Sequence, residues 1–193
     1  GQDSVAVIAY QKAVELDSTK SGLLADVAAY FFKKKDWDNA TATYKRKEKL
    51  ENGLSQAEYY SLGRAYYFGK KYEEGVVAFD SLISQKPDFA LAYYWKGNCQ
   101  SQIEVLDSTK LGLAKPAFEQ FITLASPTPD KFKAQLINAY DYIGYFFAVS
   151  AENPEFKDIW AAEARKAYEA ILVIDPENKG AKDNLKNIPA PKK

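Results

Sequence analysis

Apolar residues recur along this chain at helical spacing, in stretches that are all short. Val5, Ile8, Ala9, Ala13 and Leu16, with Lys12, form an amphipathic stripe that predicts a helix over 4–17. Leu24, Val27, Ala28 and Phe31 predict a second over 21–33, and a turn follows over 33–38. Trp37, Ala40 and Tyr44 open a third helix, which Asn52-Gly53 stops in a left-handed turn. The stretch 56–89 carries two more faces: Tyr59, Leu62, Gly63 and Tyr66, then Gly75, Phe79 and Leu82, with Pro87 ending the second. Over 90–101, Tyr93, Gly97 and Gln100 keep this register, with Lys96 at the leucine position. A longer connection near 104–112 leads to Ala114, Phe118 and Phe121, with Pro116 in the first turn, where its missing N–H costs little. After Pro127 and Pro129, Asp130 is placed to cap a helix running to about Ser150 that carries Tyr140, Ile143, Gly144 and Phe147. That helix starts earlier than its counterparts. A loop over 152–156 precedes a helix over 158–174 bearing Ala164, Tyr168 and Ile171. Residues 178–187 are polar with one apolar side (Ala181, Leu185, Ile188), and 189–193 read as a loose tail.

These helices share one spacing. The small residue and the terminator stand twelve positions apart in five helices: Ala6 to Ser18, Ala40 to Asn52, Gly75 to Pro87, Ala114 to Ser126 and Ala164 to Pro176. The small residues of paired helices are also twelve apart, Ala28 to Ala40 and Gly63 to Gly75. The interval widens to Gly97–Ala114 and Gly144–Ala164, insertions of five and eight residues.

This order of large, small and aromatic residues resembles the tetratricopeptide repeat, a helix–turn–helix unit of about 34 residues. The resemblance covers 4–188 and implies an all-α fold, a right-handed superhelical α-solenoid of antiparallel helix pairs. It divides a single domain, 1–188, into a partial repeat (4–18), four repeats (21–54, 56–89, 90–126, 129–176) and a capping helix (178–188) with the polar outer face a solenoid end needs. Ala28, Gly63, Gly97 and Gly144 then lie where helix meets helix, and a large residue at Gly63 overpacks the pair at about 1–3 kcal/mol. The first element, 4–17, is the second helix of a pair. That predicts an upstream repeat, or self-association through this end.

Composition narrows the function classes. Lys plus Arg equals Asp plus Glu, 26 each, so no global field draws nucleic acid or an anionic membrane. No apolar run approaches the roughly 20 residues that span a bilayer. With no histidine, His-based metal sites and Cys–His nucleophiles are excluded. The single Cys99 reads as a small core thiol. Glu73-Glu74 and Asp36/Asp38 fall at turns and first helical turns, where acids meet the helix dipole favourably. No phosphate-loop or EF-hand pattern occurs. The expectation is a non-enzyme without cofactor or metal. The basic run Lys45-Arg46-Lys47 with Lys49 reads as a solvated helix face. The chain lacks methionine and starts Gly-Gln-Asp inside a helical pattern, which reads as an N-terminal truncation or a removed signal peptide.

In the family that the repeats resemble, first-helix positions left over by packing line a concave groove. The resemblance assigns to it Ala25, Ala29 and Phe32; Tyr60, Arg64 and Tyr67; Tyr94, Asn98 and Ser101; and Asp141, Tyr145 and Ala148. Binding is expected at Tyr60, Arg64, Tyr67, Tyr94, Asn98, Asp141 and Tyr145, because tyrosines offer rigid contact area with a polar tip and Arg64 an anion handle. The alternative is that these tyrosines only pack along the groove wall. Ala25 and Ala29 stand where the family's carboxylate clamp has lysine and asparagine, so that clamp is not matched. The resemblance implies a protein–protein interaction module or scaffold taking a peptide or partner segment. The alternatives are a structural segment of a larger chain or assembly, and a carbohydrate binder stacking sugars on tyrosine and Trp95. Asp107-Ser-Thr-Lys110 with Gly112-Leu-Ala-Lys-Pro116 is similar to tetratricopeptide proteins of Bacteroidetes-type bacteria, many of them exported, which leans the location towards the periplasm.

Overall fold

The computed structural model describes residues 2–153, 155–157 and 159–189. Those residues form ten α-helices and no strand. They fall into two compact units, residues 1–87 and 88–193.

The first unit holds α1 (Gln2–Leu16), α2 (Leu23–Lys33), α3 (Trp37–Glu51), α4 (Gln56–Phe68) and α5 (Tyr72–Gln85), each packed on the next. Local chemistry sets the boundaries. Asp36 caps α3 by accepting from the Asn39 N–H at 3.2 Å, and Asn52 ends it in the left-handed region at φ 54°. At the start of α4, Ser55 Oγ accepts from the Glu58 N–H while Glu58 returns a carboxylate to the Ser55 N–H at 2.9 Å, a capping box. The turns from α2 to α3 and from α4 to α5 have one geometry. Lys35 and Lys70 each take φ 59°, and the Asp36 and Lys71 N–H groups close onto the Phe31 and Tyr66 carbonyls at 2.9 Å.

The second unit holds α6 (Ala90–Leu106), α7 (Lys115–Ala125), α8 (Lys133–Val149), α9 (Trp160–Ile174) and α10 (Lys179–Asn187), again packed in order. Its core joins Phe118, Phe121, Leu136, Phe147, Tyr168 and Ile171. Asn178 caps α10, with the Ala181 N–H donating to it at 3.0 Å, and Ala181 and Ile188 turn the apolar side inwards. Cys99 is fully buried, as a core thiol should be. Of the expected tail, Ala190–Lys193 lie outside the described residues.

The two insertions are absorbed differently from each other. The segment 104–106, expected in a connection, is helical: α6 runs nine residues past Gly97, whereas α4 runs five past Gly63. Gln102–Leu106 has nothing to break a helix. Its Glu104 is buried and accepts from the Ala114 N–H (2.7 Å) and the Tyr142 hydroxyl (2.8 Å), fastening the extension to α7 and α8. By contrast, α8 ends five residues past Gly144, so its extra residues stay in the connection around Asn153. The helix expected from 158 begins at Trp160, and Asp158 is outside the described residues. Asp130 does not cap α8. It sits inside a 3-10 turn, Pro129–Phe132, that starts on the proline, and α8 begins only at Lys133 with no side-chain cap.

The glycines explain the pairing. A Cβ on Gly63 would stand 2.6 Å from the Phe79 ring, on Gly97 3.0 Å from Phe118, and on Gly144 2.5 Å from Tyr168. Each ring comes from the partner helix, four residues after its small residue, and is buried flat against bare backbone.

The basic run is not one solvated face. Lys45 and Lys49 are exposed, but Lys47 is 5% exposed and pairs with Glu51 of α3 and, at 3.1 Å, with Glu58 of the α4 capping box. The neighbouring helix, invisible to a single-helix pattern, supplies the second carboxylate. Burial works against the Lys47 charge, but the two carboxylates outweigh it and its pKa is raised. Lys47 and Ser21 lower Glu51; burial opposes the lowering of Glu58, and Ser55 and Lys47 overcome it.

Two outcomes are expected. Gly144→Ala should cost about 1–3 kcal/mol, lowering the thermal midpoint by about 2–4 °C per kcal/mol. Gly22→Ala, with nothing within 4 Å, should not lower it. Lys47→Met should cost about 3 kcal/mol at neutral pH, the low end for a broken buried pair, because Glu51 still reaches solvent. The carboxylates' share of stability is complete above their ordinary pKa of 4.5 and is lost as pH falls through their lowered folded values. The difference between wild type and variant in urea unfolding should therefore shrink below that pH. The Lys47 share is complete below 10.5 and is lost as pH rises through its raised folded value.

Candidate binding surfaces

In the first unit, α4 presents Tyr60, Arg64 and Tyr67 on one face because one helical turn separates each from the next. None of the three side chains is simply solvated. All are half-buried. The Arg64 guanidinium lies 5.3 Å from the Phe32 ring centroid, 5.4 Å from Tyr60 and 5.9 Å from Phe68. Phe32 meets Trp37 edge-on at 5.2 Å, and Trp37 stacks on Phe68 at 5.1 Å. Tyr67 sets its edge against Phe68 and Tyr72, at 5.4 and 5.9 Å. An arginine is thus ordered over aromatic rings, each such contact contributing about 0.5–1 kcal/mol where exposed and more where desolvated. Phe32 belongs to this cluster, Ala29 is exposed, and Ala25 is half-buried.

In the second unit the expected residues separate by role. Tyr94 packs against Phe121 at 5.2 Å and Phe118 at 6.3 Å and adjoins the core. The Asn98 amide donates back to the Tyr94 carbonyl at 2.7 Å, and the Ser101 hydroxyl donates to the Asn98 carbonyl at 3.0 Å. On α8, Asp141 and Tyr145 stand one turn apart and both are exposed, Tyr145 to 55%; Ala148 is half-buried. Desolvation raises the Asp141 pKa above its ordinary 3.8, and no cation pairs with it among the described residues. Beneath it, Tyr168 is pushed up to about 12, by burial first and then by the Asp141 charge.

The geometry matches known solved structures. Over 96% of its length the chain is similar to the C-terminal part of a TPR repeat-containing protein from Cytophaga hutchinsonii, with 32% identity, 67% of that chain covered and a TM-score of 0.78. The chain belongs to the tetratricopeptide repeat family. The Cytophaga protein comes from the Bacteroidetes, in keeping with the bacterial resemblance of the repeats. YrrB, a TPR protein described as having an unusual peptide-binding site, shares the fold at 15% identity and a TM-score of 0.70, over 96% of this chain and 84% of its own. MamA shares it at 21% identity and a TM-score of 0.67, over 100% of this chain and 90% of its own. No protein-family profile and no curated protein matches the sequence.

The all-α solenoid class of this tetratricopeptide repeat protein follows from those neighbours. Among the described residues no helix is long and apolar enough to cross a membrane, and no three His, Cys, Asp or Glu side chains gather as metal ligands.

Pattern reading missed three features. Trp37 and Phe68 belong to the Arg64 cluster, although both stand at turns. Buried Glu104 accepts from half-buried Tyr142, burial and the Glu104 carboxylate raise the tyrosine pKa, and neither residue stands at a position that the repeat pattern marks. The third is a duplicated octapeptide, Leu16–Leu23 and Leu106–Leu113, differing only at Ser21/Leu111. In both copies aspartate accepts from the threonine N–H at 3.1 Å and its hydroxyl at 2.6 Å, folding the same 3-10 turn.

Asp141 yields a test with a definite sign. A carboxyl whose folded pKa is raised binds more protons folded than unfolded, so its effect on stability becomes unfavourable as pH rises from 3.8 through the folded value. Asp141→Asn should raise the thermal midpoint at pH 7, and the gain should vanish below pH 3.8. Calorimetry at the two pH values checks it.

Proposed function

We propose that this chain is a non-enzymatic protein–protein interaction module that holds an extended peptide segment of its partner, and that the Arg64 cluster of the first unit is a principal contact. The observation that carries the reading is the guanidinium ordered over Phe32, Tyr60 and Phe68. A planar cation so held donates to a peptide carboxylate or carbonyl with little ordering cost, while Tyr60 and Tyr67 supply flat contact area. YrrB, a tetratricopeptide protein recorded with a peptide-binding site, supports the class of ligand. In the second unit Asp141 and Tyr145 are the residues assigned to binding, and a basic side chain suits the carboxylate. Tyr94, packed on Phe118 and Phe121, and Asn98, tied to the Tyr94 carbonyl, are the binding residues assigned on α6.

A second reading, a segment of a larger assembly, is favoured by α1. Its stripe Val5, Ile8, Ala9, Lys12, Ala13 and Leu16 lines an open cavity of about 490 Å³. Leu16 is 80% exposed. A second copy of this chain packing on that stripe would bury it.

For the first reading, peptides selected from a displayed library on the wild-type chain should lose at least about tenfold in affinity on Arg64→Glu, a loss typical of removing a central contact. Equal binding by a variant whose helical circular dichroism is intact would refute it. For the second, light scattering should find dimers that Ile8→Glu dissociates; a wild-type monomer at high concentration rules out self-association through α1.

A further inference from the structure

The opposite side of α4 carries a second surface that the peptide-binding reading does not use. Tyr59, Leu62 and Tyr66 face away from Tyr60, Arg64 and Tyr67, and with Val77 and Ala78 of α5 they line a cleft of about 170 Å³. A cavity of about 150 Å³ holds a benzene ring, so the cleft suits one aromatic or branched aliphatic side chain. Val77 is 65% exposed at its mouth, an apolar side chain facing water beside an apolar floor. The cleft opens past Lys45, Glu48 and Tyr59 into a shallow trough of about 770 Å³, also lined by Arg46 and Lys49.

The charges on this surface are unevenly committed. Lys45 pairs with Glu48, which also accepts from the Tyr59 hydroxyl at 2.9 Å. Lys47 is spent inside the protein on Glu51 and Glu58. Arg46 and Lys49 are in no ion pair among the described residues. Two carboxylates line the cleft: Glu48, which Lys45 offsets, and Glu74 across from it, which works against an anion there. The trough therefore offers two uncommitted cations beside an apolar hole.

We infer that the α3–α4–α5 face is a second binding surface, whose occupant is an acidic segment of a partner protein with one aromatic or branched apolar anchor. The anchor enters between Tyr59, Leu62, Tyr66 and Val77, and the flanking carboxylates lie over Arg46 and Lys49. Anchor burial provides the affinity and the charges set register and direction.

The test titrates the isotope-labelled chain with an acetylated peptide of two glutamates, phenylalanine and two glutamates, followed by amide chemical shifts. Shifts should cluster at Lys49, Tyr59 and Val77. Affinity should fall about tenfold in the Arg46→Glu, Lys49→Glu double variant and weaken with added salt. The Arg64→Glu variant should bind within about twofold of wild type, which separates this surface from the other face of α4. Replacing phenylalanine by serine in the peptide should weaken binding at least about fivefold, a small share of a buried anchor's worth. Shifts centred on Tyr60 and Tyr67, no shifts at millimolar peptide, undiminished binding by the double variant, or equal binding of the serine peptide would each overturn the inference.

Discussion

The fold depends on a ring laid against bare backbone. Phe79 over Gly63, Phe118 over Gly97 and Tyr168 over Gly144 repeat one contact in which an aromatic side chain occupies the place of a missing Cβ. This lets two helices approach closely while burying a large apolar group, so hydrophobic gain and helix crossing are decided at one point. The contact is also intolerant, since any side chain on the glycine meets a ring that its own surroundings hold fixed.

Once the pairs are set, α4 has two remaining directions, and they differ in chemistry. One gathers Arg64 with aromatic rings from α2 and its own end; the other meets α3 and α5 around a small cleft edged with lysines and arginine. Both arise because a helix in a stack packs along a narrow stripe and leaves its flanks to be chosen freely. Within the second unit α8 has a comparable flank, where Asp141 keeps a charge that its surroundings disfavour.

Helix existence and pairing were legible in the residues because the twelve-position spacing of small residue and terminator recurs regardless of neighbours. Asn52 as a left-handed stop and Cys99 as a core thiol were legible for local reasons: an αL-tolerant residue after a helix, and a small apolar group beside Gly97. Boundaries that depend on a second element were not. Asp130 looked like a cap but lies within a turn begun by Pro129, and 104–106 looked like loop but is helix, its Glu104 satisfied by Ala114 and Tyr142. Lys47 looked solvated because its second carboxylate, Glu58, belongs to another helix.

The sequence by itself determined an all-α chain of helix pairs and the positions where each pair touches, because packing of neighbouring helices is written in near-local periodicity. It also determined which residues packing leaves over. Only the tertiary structure decided what those residues became: Tyr94 a ring packed on Phe118 and Phe121, Arg64 a cation ordered on rings, Asp141 a carboxylate with no cation beside it among the described residues, and Lys45-Arg46-Lys47 a run split between a buried pair and an open trough. The reason is that a side chain's role depends on which groups from other elements come within a few ångströms, and a one-dimensional pattern carries no such distances.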